Sequence, residues 1–251
     1  MSSNLASQLR EGTKQSHTLA ENTAYMKCFL KGMVAREPFR KLLSNLYFVY
    51  SALEAELLCH RYHPILGKIY FPQLDRKAHL EEDLAYYYGN NWRDKITPSE
   101  AGMDYVARLH QIPNIDEPAL LVAHGYVRYL GDLSGGQALK NIVRSALELP
   151  EALGTRFYEF DNFSSVAEIR AFKGQYRDAL NSLPVDEELA AKIVAEANYA
   201  FSLNRDVLHS LEPEVKAAIG ENRFAEITSE DRGGSTEHSS EDSSENLVTA
   251  E

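Results

Sequence analysis

Apolar residues return every three to four positions along nearly the whole chain, and no stretch shows the period of two that marks a strand. Leu5, Leu9, Thr13, His17, Ala20 and Ala24 share one face, which predicts a first helix from Leu5 to about Lys27. Pro38 suits a first helical turn, and Phe39, Leu42, Leu46, Val49, Leu53 and Leu57 carry the next helix toward Pro64. A shorter helix runs from Asp75 to Tyr88 and closes at Gly89. Thr97-Pro98-Ser99-Glu100 reads as a capping box with proline in the first turn, opening a helix to about His110. Asp116 caps a long helix to about Leu149, Ser164 or Ser165 opens one to Leu183, and Asp186 opens the last, to about Leu211. Internal repeats are absent, and the predicted fold class is all-α.

The long helix contains an anomaly. Its ends keep the apolar period, yet Gly131, Gly135 and Gly136 fall within six residues of one another. Glycine inside a helix costs roughly 0.8–1 kcal/mol relative to alanine, so the three together forfeit about 2.5–3 kcal/mol. Gly131 and Gly135 are one turn apart, and a face without side chains lets a flat group reach the backbone and lets the helix bend. Leu133-Ser134-Gly135-Gly136-Gln137 also spells the signature peptide of ABC-type ATPases, but no G-x-x-x-x-G-K-[ST] phosphate loop accompanies it. Close helix packing would explain an isolated glycine pair. Here Arg128 and Asp132 flank the bare face, as polar groups beside a ligand site do and those in a packing seam do not.

At 251 residues the chain holds enough material for one domain with a core and a tail. The boundary is placed at 220: residues 1–220 form the helical domain and 221–251 an acidic Ser/Glu-rich tail, expected to be disordered. From Glu221 onward nine acids face two arginines, so −7 of the net charge of −11 sits there, with few large apolar residues to bury. Acidity speaks against nucleic acid as a partner. The longest uncharged run, Leu42 to Leu53, is twelve residues and contains Ser and Asn, too short and polar for a membrane anchor. Without an apolar leader, and with only Cys28 and Cys59, a soluble cytoplasmic setting is expected.

The first helix places Arg10, Lys14, His17 and Glu21 near one stripe about 16 Å long. Such a histidine ordinarily sits satisfied in a core. Two cations below it and a carboxylate one turn above suit a haem instead, with iron on Nε2, propionates toward Lys14 and Arg10, and Glu21 accepting from Nδ1. Simple surface pairing at i,i+4 spacing stands beside that reading. Lys173 and Arg177 form a second cationic pair, which alone would be a solvated face. His124 lies two turns before Gly131, too far to stand over the same iron. Cys59, His60 and His63 read as a helix end rather than a metal site.

Thr13-Lys14-Gln15-Ser16-His17-Thr18-Leu19-Ala20-Glu21-Asn22, Leu46-Tyr47-Phe48-Val49-Tyr50, and Tyr126-Val127-Arg128-Tyr129-Leu130-Gly131-Asp132-Leu133-Ser134-Gly135-Gly136-Gln137 closely resemble the haem oxygenase family. The resemblance runs from about Leu5 to Leu211. It implies the all-helical haem oxygenase fold, with haem between a proximal helix and a distal helix kinked at the glycines. His17 matches the proximal iron ligand and Glu21 its partner. Arg10 (commonly lysine in the family), Lys14, Tyr126, Lys173 and Arg177 match propionate contacts, and Gly131, Ser134, Gly135 and Gly136 match the distal haem wall.

The resemblance further implies a water network anchored by Asp132 and supported by Arg128, Tyr50 and Asn204, which supplies the proton for oxygen activation. With O2 and reducing equivalents the haem opens at its α-meso carbon to biliverdin, CO and ferrous iron. An acidic tail in place of an apolar anchor resembles the soluble bacterial, cyanobacterial or plastid-type members, the last residing in the stroma. Such members draw electrons from ferredoxin or another reductase and pass product to a bilin reductase. Two alternatives remain at this point: a haem-binding sensor or carrier without turnover, and a helical partner-binding module using the glycine face.

Overall fold

The structure, a computed structural model, describes residues 4–115 and 117–229, and every regular element among them is helical. In chain order these are α1 (Leu5–Glu21), α2 (Ala24–Leu30), α3 (Arg36–Cys59), α4 (Lys77–Tyr88), α5 (Glu100–Asn114) and α6 (Leu121–Gly125). After a π-helical turn at Tyr126–Leu130 come α7 (Gly131–Ala146), α8 (Val166–Asn181), α9 (Glu187–Ser210), α10 (Glu212–Ile219) and α11 (Glu221–Thr228). The all-α expectation holds among the described residues.

Local chemistry explains several of the ends. Ser165 Oγ accepts from the Glu168 amide at 3.2 Å, and the Glu168 carboxylate reaches back to Ser164 N at 2.6 Å. Asp186 accepts from Leu189 N at 2.8 Å, as its position before the apolar run predicts. Each such cap contributes about 1 kcal/mol. α4 stops at Gly89, whose φ of 85° a side chain would oppose.

Four boundaries differ from those predicted. The first helix breaks at Asn22, and Thr23 caps a separate α2 by accepting from Met26 N. α5 is capped by Ser99 rather than Thr97: Ser99 Oγ accepts from Gly102 N, and Asn45 on α3 accepts from both Ser99 N and Ser99 Oγ at 2.8 Å. A tertiary partner there outcompetes the local box. The helix also continues through Pro113 to Asn114. The expected cap at Asp116 lies outside the described residues. Finally, residues 221–228 are helical rather than disordered. α11 lies against α2, with Phe224 and Ile227 packed on the core and Lys27 Nζ donating to Thr228 O at 3.2 Å. The rest of the expected tail, residues 230–251, lies outside the described residues.

The two 24-residue helices, α3 and α9, are the struts of the fold. α1, α5 and α6 pack on α9, while α4 and α5 pack on α3. Leu5 and Leu9 of α1 are fully buried, as are Ile193 and Ala197 of α9, so α1's apolar stripe is spent on α9. The opposite flank of α1 is left to border a cavity.

Candidate active site

That cavity has a volume of about 630 Å³, within the roughly 300–1,000 Å³ of sites that bury a small ligand. Arg10, Lys14, His17 and Glu21 line it from α1, in the stripe that their spacing predicts. Phe201 of α9 sets its ring edge-on to the His17 imidazole with centroids 5.7 Å apart. Nδ1 of His17 is buried without a hydrogen-bond partner and lies 3.8 Å from Glu21 Oε2. The expected bond between them is therefore not formed: one helical turn brings the groups face to face, while the ring, held against Phe201, stays out of bonding range. With Nδ1 turned to a carboxylate, Nε2 is the nitrogen left to bind a ligand.

From the opposite side the π turn and α7 bring Arg128, Gly131, Asp132, Ser134 and Gly136 to the cavity. The turn carries five residues where an α-turn carries fewer, a wide geometry that recurs at functional sites. The deformation thus precedes the glycines. Gly131 follows the widened turn directly and is right-handed at φ −61°. A Cβ on Gly131 or Gly135 would meet nothing within 4 Å, so neither is there for packing. Gly135 lies one turn after Gly131 on the same face and also meets open space, although it is not among the residues that touch the cavity.

Asp132, Arg128, Tyr50 and Asn204 form one buried network. Tyr50 Oη donates to Asp132 Oδ2, and Arg128 Nε donates to Tyr50 Oη at 3.0 Å. Arg128 Nη1 donates to Asn204 Oδ1 at 2.7 Å, and Nη2 lies 3.5 Å from Asp132 Oδ1. Burial raises the Asp132 carboxyl above its ordinary value, although Arg128, Tyr50 and the more distant Arg76 pull it down. Burial likewise raises the Tyr50 phenol well above its ordinary range. The proton between them is held on tyrosine at neutral pH, and the carboxyl sits nearer its protonated form than a surface aspartate does.

Cations at one edge, an imidazole on one side and a bare backbone beside a buried acid on the other match what a haem needs. Comparison with known proteins decides the matter: the family model described as "Heme oxygenase" matches residues 3–210. The chain belongs to the haem oxygenase family. It is 62% identical over 234 residues to haem oxygenase 2 of Synechocystis sp., covering 93% of either chain. The crystal structure of that relative with haem and NO superposes with a TM-score of 0.91, covering 94% of this chain and 96% of the other. Haem oxygenase 1 of Synechocystis sp. with haem gives a TM-score of 0.83 at 52% identity, covering 89% and 99%.

Within this haem oxygenase the remaining predicted residues divide. Tyr126 and Arg177 line the cavity, but Lys173 does not. Lys173 is one turn before Arg177 on α8, and the cavity edge passes only the later position. Sequence reasoning missed the walls: Met26, Leu46, Phe157, Tyr158, Phe201 and Leu208. Phe201 and Leu208 were legible as the apolar face of α9. Phe157 and Tyr158 had no local signal, because they lie on a short 3₁₀ turn hung from α4, where Asp83 accepts from Arg156 N at 2.9 Å and Phe157 N at 2.8 Å. Acids also reach the cavity, Glu11 and Asp178 beside the basic edge. His124 is fully buried and bonded at Nε2 to Glu196, 2.9 Å away. His60 and His63 serve turns, Nδ1 of His63 accepting from Ile65 N at 3.2 Å. No helix among the described residues is long and apolar enough to cross a membrane.

Proposed function

We propose that His17 holds haem in this cavity and that the Asp132 network directs its oxidative opening at the α-meso carbon to biliverdin, CO and ferrous iron. Haem bound there supplies both the oxygen-activating iron and the ring that is opened, with O2 and reducing equivalents as co-substrates. The observation that carries the reading is the coincidence of His17, a side-chain-free Gly131, Asp132 and Arg128 on the walls of one cavity, with Tyr50 bonded to the last two from behind the wall.

Each residue then has a task. Nε2 of His17 binds the iron, while Glu21 faces Nδ1 and biases the ring toward the ligating tautomer. Arg10, Lys14, Arg177 and Tyr126 hold the propionates at the cavity edge, with Lys173 a contact beyond the lining. Gly131, with Ser134 and Gly136, leaves the distal wall low, so that the haem can lie against backbone. Gly135 follows on the same helix as its support. Asp132 anchors the ordered water that delivers the proton, while Tyr50, Arg128 and Asn204 fix where its carboxyl points. No bulky acid or base side chain intrudes between.

Arg10, Lys14 and Arg177 also make the cavity edge the docking face for an acidic electron donor, ferredoxin or another reductase. The bilin passes to a downstream reductase, and the setting is cytoplasmic. The experiment is a haemin titration followed by single turnover with a chemical reductant, on the native chain and on His17→Ala. We expect a Soret band with both, and bilin only with the native chain until imidazole is added to the variant. A Soret band without bilin from the native chain would mean a carrier, and normal turnover by His17→Ala would remove the ligand assignment.

A further inference from the structure

α1 and α9 approach closely where Gly12 faces Val194. A Cβ on Gly12 would stand 2.5 Å from Val194 Cγ1, so only glycine allows this separation without a shift. Across the same seam Asn198 of α9 donates from Nδ2 to the Gly12 carbonyl at 3.0 Å. Its Oδ1 accepts from the Ser16 hydroxyl at 2.6 Å. The second amide hydrogen goes to Val194 O of its own helix, also at 3.0 Å, which fixes the amide plane. The orientation is not interchangeable, because both backbone carbonyls only accept and must face the NH2 end.

One planar amide therefore grips α1 at two points a turn apart. A single bond would let the helix roll about it, whereas two separated bonds resist both rolling and sliding. The upper grip, Ser16, is the residue before His17. Three positions along α9, Phe201 sets its edge against the His17 ring, and three further on Asn204 accepts from Arg128. Over about 9 Å of one helix, α9 thus touches the helix that carries the imidazole, the imidazole itself and the acid network across the cavity. Neither Asn198 nor Ser16 lines the cavity.

We propose that Asn198 is a positioning residue for the reaction. It sets the rotation and height of α1, and through them the plane of the His17 ring, from the same helix that anchors the Asp132 network. Proximal ligand and distal acid are thereby referenced to one rigid element, and the haem between them is held at a fixed angle to both. This rests on His17 being the haem ligand, as proposed above.

Proton NMR of the haemin-loaded, cyanide-ligated ferric protein tests it, because the spread of the haem methyl resonances reads the orientation of the axial imidazole. Asn198→Ala removes both grips, Ser16→Ala removes only the upper one, and Ser16→Thr keeps the hydroxyl. The expected result is a changed methyl spread in both alanine variants, larger for Asn198→Ala, and the native pattern in Ser16→Thr. Haemin transfer to a scavenging apoprotein should quicken about tenfold in Asn198→Ala, the lower end of what loss of a ligand-orienting partner costs. Because neither residue reaches the haem, lost packing alone would leave the methyl pattern unmoved. If Asn198→Ala does not fold, the Ser16 pair decides alone. A native-like pattern in the alanine variants overturns the proposal while leaving His17 as ligand. A native spectrum without imidazole ligation overturns both.

Discussion

At the scale of single residues, the site depends on what two positions lack and what one holds. Gly131 lines the cavity, and a side chain there enters open space rather than a neighbour. Gly131→Leu should therefore leave the apoprotein as helical as before and more stable by up to about 1 kcal/mol from propensity. Biliverdin formation should collapse, because the leucine occupies the haem's side of the wall. Gly135→Leu, one turn further along the same face, should lower bilin as well. Thermal melting paired with bilin yield per haem checks both, and a native bilin yield from Gly131→Leu would count against Gly131 as the wall. Asp132→Asn keeps the side-chain shape and one of the two acceptor contacts, to Tyr50 or to Arg128, but cannot trade a proton. Haem affinity should stay near the native value while bilin yield in single turnover falls about 100-fold, the low end for a lost general acid. These residues were legible in the sequence because helical spacing alone puts Arg10, Lys14, His17 and Glu21 on one stripe, and Arg128 beside Asp132. What spacing does not carry is rotamer and reach, which is why the Glu21 bond was expected and 3.8 Å is found.

At the scale of elements, α5, α6 and α9 are joined by one buried cluster. Arg108 grips Glu196 through Nε at 2.9 Å and Nη2 at 2.6 Å, and His124 binds the same carboxylate. Burial works against the charge on Glu196, but Arg108 and His124 outweigh it and bring the carboxyl down to about 2. Burial also lowers the His124 ring, which stays neutral and donates from Nε2. With its folded value below the ordinary 4.5, Glu196 contributes stability in full above about pH 4.5 and loses it as pH falls toward 2. Arg108→Gln should cost about 2 kcal/mol at neutral pH. The gap to the native chain should narrow by about pH 3, where the native chain has lost most of that contribution. Melting temperatures at the two pH values check it, and a gap that widens in acid would contradict the assignment. None of this was readable beforehand, because Arg108, His124 and Glu196 are far apart in the chain and only packing introduces them. The π turn was hidden for another reason. Val127 and Leu130 remain buried through it, so the apolar pattern runs on without a break.

At the scale of the whole molecule, the C-terminal part of the chain belongs partly to the fold. Composition places the boundary at Gly220, yet eight further residues form α11, and two apolar side chains with one lysine–carbonyl bond tie it to α2. α2 in turn offers Met26 to the cavity. A polar sequence with so few apolar anchors looks dispensable until its partner surface is known. A chain ending at Gly220 should be less stable than one ending at Ser229 by about 2 kcal/mol, the worth of two partly buried apolar side chains. It should also hold haemin more weakly, and thermal melts with haemin titrations of the two truncations measure the difference. Equal melts would show that α11 adds nothing. The widened turn at Tyr126–Leu130 has its own consequence for the molecule as a whole, because it acts as a phase shift between two halves of one rod. Closing these five residues into regular α-helical hydrogen bonding, with none removed, would turn everything after them by about one residue's step, roughly 100°. Asp132 would then swing out of the cavity while His124 stayed in its socket. Substitutions along this stretch change what the site does, but the wide hydrogen-bond spacing of the turn decides whether α1 and α7 face one another across a site at all.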